Sequence, residues 1–301
     1  MDQRQELREF LLSRRARLSP QQAGLPNFGT STRRVPGLRR SELALLANVS
    51  VEYLTKLERG NAAGVSDAVL ESVAHALQLD AAETSHLFDL ARGARTASGS
   101  RRRPSTQRVR PGVQQLLDAL VGVPAFVQNG RLDIVAANDL ARALYAEPFD
   151  QAARRPGGPA TPNGARFTFL DERAAELYPD WDKAATDTVA ALRAEAGRAP
   201  TDRQLNELLG ELSRDERFST LWARQDVRWH TSGTKRFRHR VVGDLTLSWE
   251  GLELPGDPGQ ALIAFTAEPG STSAEALGFL ASWAATTPAA TEPRQQARPP
   301  A

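Results

Sequence analysis

Residues 38–61 constrain this chain more than any other stretch. Leu43, Ala44 and Ala47 recur at helical spacing and share one face. The two alanines are small enough to let a second helix come close. Asn48 stands where the chain must reverse, and Asn tolerates positive φ better than other non-glycine residues. Ser50 can cap a following helix by accepting from an orphan backbone N–H. On that helix Leu54 and Leu57 point back to the first. Val51, Glu52, Tyr53, Lys56 and Arg59 are left facing outward, and Gly60 suits the residue after a helix end. Two short helices joined by such a turn can lay the second in the major groove of duplex DNA. A generic small helical bundle also contains helix pairs, but it does not need the small residues, the turn residue and the cap to agree.

Charge distribution fits an anionic partner for this part of the chain only. Residues 1–110 hold 18 Lys and Arg against 11 Asp and Glu, whereas residues 111–301 hold 20 against 25. A basic N-terminal third on a mildly acidic remainder suits nucleic acid at the first part. Lys56, Lys183 and Lys235 are the only lysines, so Lys56 on the second helix departs from an otherwise arginine-rich usage. There is no cysteine, hence no disulfide framework and no thiolate chemistry. No apolar run is long enough to span a bilayer, and the charged first residues are not of signal type. A cytoplasmic location is the expectation.

A helix over 3–18, with Leu7, Phe10 and Leu11 inward, precedes a Pro- and Gly-rich loop at 19–37. On that loop Thr30 to Arg34 read either as a phosphate clamp or as solvated chain. Ser66-Asp67 opens a fourth helix. Asp80 with Glu83 reads as a capping box for a fifth. Domain boundaries follow at 1–91 for the helical domain, 92–110 for an arginine-rich linker, 111–285 for a second domain, and 286–301 for a disordered tail. Seven arginines and no acid lie in the linker.

In the second domain a helix carries Val113, Leu116, Leu117 and Leu120. Two strands follow across an Asn129-Gly130 hairpin turn, and Asn138 begins a short helix. After a Pro/Gly-rich loop come helices at about 171–178, 182–197, 202–213 and 215–223. Strands are expected at 226–230, 235–241, 244–253 and 260–266, with a closing helix at 273–285. The fold class is therefore α+β: an all-α five-helix bundle followed by an antiparallel sheet with helices packed on one side.

The 34–47 stretch, Arg-Val-Pro-Gly-Leu-Arg-Arg-Ser-Glu-Leu-Ala-Leu-Leu-Ala, resembles the helix-turn-helix of the xenobiotic-response-element family, in its MmyB-like actinobacterial form. The family usually has Gly where this chain has Asn48. Further residues that carry the resemblance are Ala165-Arg-Phe-Thr-Phe-Leu-Asp, Tyr178-Pro-Asp-Trp, Leu221-Trp-Ala-Arg, Thr231-Ser-Gly-Thr-Lys-Arg-Phe-Arg-His and Leu254-Pro-Gly-Asp-Pro-Gly-Gln. The second domain resembles a PAS-like ligand-binding domain attached to those regulators. The resemblance implies that Val51, Glu52, Tyr53 and Lys56 read base edges, with Arg39, Arg40, Ser50 and Arg59 on phosphates. Glu52 would accept from a cytosine amino group, Lys56 would donate to guanine, and Val51 would touch a thymine methyl. Glu58 pairs with an arginine of the first helix, Arg14 or Arg15. A homodimer on double-stranded DNA is implied, with a fatty-acid-like or other apolar molecule as effector and no cofactor.

No catalytic set is visible. His75 and His86 are eleven apart in the helical part. His230 and His239 on neighbouring strands lack a Cys or carboxylate at ligand spacing, so they read as surface or rim histidines. There is no phosphate-binding glycine loop and no nucleophile elbow. Aromatic residues Phe126, Phe167, Phe169, Trp181, Trp222, Trp249 and Phe265 would line a pocket if the sheet and helices leave one, and form a core if they do not. Arg236, Arg238 or Arg240 would meet an anionic head at its mouth. The reading is a ligand-responsive transcription regulator and not an enzyme. The alternatives are an enzyme recruited to DNA and a protein-interaction module.

Overall fold

Hydrophobic periodicity and capping residues set the elements of the computed structural model, which describes residues 2–25, 37–95, 109–154, 161–227 and 231–286. The Thr30–Arg34 segment, His230, Trp229, most of the linker and the tail lie outside the described residues. The chain divides into two compact units, Met1–Ser105 with Ala185–Trp229, and Thr106–Ala184 with His230–Ala301.

Helices α1 (Gln3–Arg17), α2 (Arg40–Leu46), α3 (Val51–Glu58), α4 (Asp67–Ala76) and α5 (Ala81–Arg95) form the expected five-helix bundle. Asp2, Ser50 and Ser66 cap α1, α3 and α4 with their side-chain oxygens. The Asp80 and Glu83 pair forms the reciprocal box at the start of α5. Leu7, Phe10, Leu43, Leu54, Leu57, Leu70, Val73, Leu87 and Leu90 make one core. Full burial of each such side chain contributes roughly 1.5–3 kcal/mol before entropy is counted.

The second unit begins with α6 (Pro111–Ala119), β1 (Ala125–Asn129), β2 (Ile134–Ala137), α7 (Asp139–Leu144), α8 (Ala146–Arg154), α9 (Gly164–Leu170) and α10 (Arg173–Leu177). The hairpin forms, but not through a tight Asn-Gly turn. Leu132, not Gly130, takes the left-handed conformation at φ 65°. The Asn129 side chain stabilises the wider loop by accepting from the N–H groups of Arg131 and Asp133. Asn138 caps α7, accepts from the Ala125 N–H, and donates to the Leu120 and Val123 carbonyls.

Then follow α11 (Trp181–Arg198), α12 (Arg203–Leu212) and α13 (Glu216–Ala223). From Ala185 onward these group with the helices of the first unit. Leu205, Leu208, Leu209 and Leu212 bury the i, i+3, i+4, i+7 stripe of α12. The strand expected at 226–230 does not form at Asp226 and Val227; its remainder lies outside the described residues.

Strands β3 (Ser232–His239), β4 (Gly243–Glu253) and β5 (Gln260–Thr266) and helix α14 (Thr272–Thr286) complete the chain. All five strands join one antiparallel sheet in the order β2-β1-β5-β4-β3. Its larger core lies on the face bearing Phe126, Phe237, Leu245, Leu247, Ile263 and Phe265. The helices are not confined to that face. Val113 and Leu117 of α6 pack on Ala125, Val127 and Leu262 from the other side.

Candidate nucleic-acid interface and regulatory core

The α2–α3 pair is fixed from within. Asn48 adopts φ 53°, the left-handed state its side chain permits. The Val49 N–H reaches the Ala44 carbonyl at 3.0 Å, and Ser50 Oγ accepts from the Tyr53 N–H at 3.0 Å. Leu54 and Leu57 are fully buried while Val51, Glu52, Lys56 and Arg59 are exposed. Tyr53 differs from its expected outward pose: it is half-buried and packs on the bundle core. Arg39 is exposed, and its N–H donates to Glu42 at 2.7 Å, closing the first turn of α2.

Glu58 is the internal anchor of this face. Its buried carboxylate accepts from Arg15 Nε at 2.6 Å on one oxygen and Arg40 Nε at 2.6 Å on the other. Arg15 is the α1 partner; Arg14 instead meets Glu83 at 2.8 Å. Arg40 is thus tied to Glu58 with part of its guanidinium still exposed. A tethered arginine is preorganised for an anion, because less rotamer freedom is lost on contact.

Gly60 closes α3 at φ 80°, where a Cβ would stand 2.2 Å from the Arg4 carbonyl oxygen. Gly60→Ala is expected to cost about 2–3 kcal/mol, the left-handed backbone alone accounting for roughly 1–2. Urea denaturation checks this. A change within about 0.5 kcal/mol, the range of an ordinary surface substitution, would contradict the tight approach.

The segment 185–227 packs on this bundle within the same unit. Arg193 of α11 is buried and donates from Nη1 to Glu6 at 2.9 Å and to Gln225 Oε1 at 2.6 Å. Its Nη2 donates to the Trp222 carbonyl, and its guanidinium lies 4.0 Å from the Trp222 ring centroid. Burial lowers the Arg193 pKa against the opposing pull of Glu6, and burial raises that of Glu6. Arg14 donates to the Gln225 carbonyl, and Arg17 meets Asp226 at 2.8 Å. His86 is buried edge-on to Phe10 at 5.1 Å, with neither ring nitrogen hydrogen-bonded among the described residues.

In the second unit the expected pocket aromatics divide. Phe126 and Phe265 join Tyr145 and Phe237 in a ring cluster with centroids 5.4–6.1 Å apart. Phe167 lies on Tyr178 at 5.8 Å, and Phe169 on Trp181 at 5.9 Å. Trp249 is half-buried. Trp222 does not join them: it stacks on Phe218 in the other unit. These contacts are those of a packed core. Tyr145 and Phe237, which sequence reasoning passed over, sit at its centre. Burial raises the phenol pKa of both Tyr145 and Tyr178. Lys235 Nζ stands 4.0 Å from the Tyr178 ring centroid, a cation–π contact that alternation on β3 alone does not reveal. Of the other arginines, Arg236 pairs with Asp180 and Arg238 with Asp244.

His239 is buried, not a rim residue. Its Nε2 lies 3.0 Å from the Ala143 carbonyl, and its Nδ1 accepts from the Val241 N–H. Among the described residues no three His, Asp or Glu side chains converge as metal ligands, and no helix is long and apolar enough to cross a membrane.

Residues 109–280 match the family model of the MmyB-like transcription regulator ligand-binding domain. The chain belongs to this family of MmyB-like regulators. No curated protein matches it. The match takes in the whole sheet and also residues 185–227, so part of the MmyB-like ligand-binding segment lies in the first unit, bonded to α1. The matched family is one of transcription regulators.

Proposed function

We propose that this MmyB-like regulator binds a specific duplex DNA site through α3 and that a small molecule held by its second unit modulates the binding. The observation that carries the first half is the outward face of α3. Val51, Glu52 and Lys56 are exposed on a helix whose opposite face is locked by Leu54, Leu57 and Glu58, and Arg59 is exposed at its C-cap. Val51, Glu52, Tyr53 and Lys56 are assigned to base edges, and Arg39, Arg40, Ser50 and Arg59 to phosphates. Tyr53 reaches DNA only with the part of its ring that the core leaves exposed. A homodimer would read two half-sites about one helical turn apart.

Support for the second half is the family match together with the packing of residues 185–227. α11 carries its first turn in the sheet unit and the rest of its length in the helical unit. A change in its seating would therefore act on the bundle that holds α3. Coupling of this kind is worth typically ~1–3 kcal/mol. A fatty-acid-like effector, which the resemblance implies, would require the Phe126–Tyr145–Phe237–Phe265 cluster to open.

Sequencing of DNA fragments selected by the full chain tests DNA recognition directly. Enrichment of one (pseudo)palindromic motif is the expected result, and recovery of unrelated sequences would refute it. With that motif in hand, Lys56→Ala is expected to weaken binding by roughly 1–3 kcal/mol and to relax preference at one base position. Equal weakening across all operator variants would make Lys56 a phosphate contact instead.

A further inference from the structure

Helix α14 packs one face on the sheet and leaves a second face bare. Ser273, Leu277 and Leu280 are buried, and Ala276, Ala281 and Ala284 pack partly against the same core. The outward positions include Glu275, Gly278, Phe279, Ser282, Trp283 and Thr286. Glu275 is the only charged residue in the 15 residues of the helix. Phe279 is 60% exposed and Trp283, one helical turn on, is 37% exposed. Two aromatic side chains open to water on one almost uncharged face mark a contact surface.

Small residues lie beside that aromatic row. A Cβ on Gly278 would meet nothing within 4 Å. Ser282 turns its hydroxyl back to the Gly278 carbonyl at 3.1 Å, so it needs no polar partner from outside. Phe279 and Trp283 form an i, i+4 ridge, and Gly278 and Ser282 form a shallow i, i+4 row next to it. The face is therefore complementary to itself. In an antiparallel pair with its two-fold axis at the level of Leu280 and Ala281, Phe279 stands opposite Ser282 of the second copy, and Trp283 opposite its Gly278. Ridges of this kind interdigitate at a crossing angle of roughly −50°. The two-fold axis makes each contact twice.

Charge agrees with this register. Glu275 of one copy falls beyond Trp283 of the other. Arg240 and Val241, on the turn between β3 and β4, wall the same cavity as Trp283. The Arg240 side chain is 67% exposed, and its nearest carboxylate oxygens among the described residues stand 3.9 and 4.0 Å away, longer than a hydrogen bond. An acid of the second copy thus arrives where a basic side chain is only loosely held.

We propose that α14 and the β3–β4 turn form a homodimer interface, with a second copy of this chain seated antiparallel on the first. Phe279 and Trp283 pack over Ser282 and Gly278 of the second copy, and Glu275 pairs with its Arg240. The proposal rests on the reading of the chain as a two-fold DNA-binding regulator and assigns the two-fold contact to the second unit. One helix face and one turn per copy lie at the small end of protein interfaces, so the dimer is expected to dissociate on dilution.

Sedimentation velocity of the full chain without DNA, diluted through the micromolar range, tests it. A monomer–dimer equilibrium is the expected result. Phe279→Ser and Gly278→Arg change positions that are open to solvent in the single chain, so the monomer stays folded. Each is expected to raise the dissociation constant about thirtyfold or more, the scale of an interface hot spot. Glu275→Arg and Arg240→Glu should each weaken the dimer about tenfold by setting like charges together, and the double variant should recover most of that loss. A monomer throughout the range, a dimer unchanged by Phe279→Ser and Gly278→Arg, or a double charge reversal no better than either single variant would each overturn the proposal. Failure of the regulator reading is a separate result. It appears as absence of motif selection by the same preparation, whatever the mass of the chain in solution.

Discussion

Arg193→Ala is expected to lower the stability of the helical unit by about 3–5 kcal/mol, the scale for removing one partner of a buried ion pair. The guanidinium is almost wholly inaccessible and serves Glu6, Gln225 and the Trp222 carbonyl at once. Its removal strands these acceptors and leaves a cavity beneath Trp222, and both effects act in the same direction. Protonation of Glu6 can relieve part of the charge imbalance, since burial already raises its pKa. Arg193→Met separates the causes. It refills the volume without the charge, and its cost is expected to be smaller than that of the alanine variant. Urea denaturation of both variants gives the comparison, and limited proteolysis should show residues 185–227 of the alanine variant released first. A loss below about 1 kcal/mol for Arg193→Ala, the scale of an exposed ion pair, would mean that this cluster does not hold the segment to the bundle.

Acidification is expected to destabilise the same core through His86. Burial, reinforced by Arg193, Arg14 and Arg198, lowers its pKa to about 3. The unfolded chain protonates His86 near its ordinary value of 6.5, whereas the folded chain does not until about pH 3. Between these values the unfolded state binds more protons, so stability falls as pH falls. From pH 7 to 4.5 the contribution is about 3 kcal/mol, approaching about 4–5 kcal/mol near pH 3. Glu6 and Asp89 nearby have carboxyl pKa values raised by burial, take up protons earlier in the folded state, and offset part of the trend. His86→Leu isolates the effect. The variant should match the wild type or exceed it at pH 7, because two unpartnered ring nitrogens disappear. It should then gain relative to the wild type as pH falls. Parallel denaturation midpoints for the two proteins across pH 7 to 4.5 would contradict a buried neutral imidazole.

The parts of the fold that were readable in the sequence are local. The turn at Asn48, the Ser50 and Ser66 caps, the Asp80–Glu83 box and the apolar stripes of α1, α3 and α12 each lie within one or two helical turns. Sequence distance and spatial distance nearly coincide there. Strand β5 and helix α14 were likewise visible from alternation and flanking turn residues. Helices α8 and α9 were not. Pro148 interrupts the first, and the Phe167-Thr168-Phe169 alternation of the second reads as strand. The Asn163 side chain, accepting from the Arg166 N–H, starts that helix instead. The wider hairpin loop followed from Asn129 satisfying two backbone donors, which no dipeptide rule anticipates.

Site residues divide in the same way. The outward positions of α3 follow from periodicity, because a helix with two buried leucines must expose the intervening positions. Which arginine serves Glu58, and that Arg40 joins Arg15 there, depends on the approach of three helices. The sequence alone determined that this chain has a capped helix pair with a polar outer face, a basic N-terminal part, and a family-specific sheet with helices. Only the tertiary structure decided that residues 185–227 pack with the bundle, that the aromatic set is filled by Tyr145 and Phe237, and that His86 is closed in with neither ring nitrogen hydrogen-bonded among the described residues. Propensity, capping and periodicity are properties of neighbours in the chain. Desolvation and hydrogen-bond satisfaction depend on which distant segments close over a group, and they are fixed only when the fold is complete.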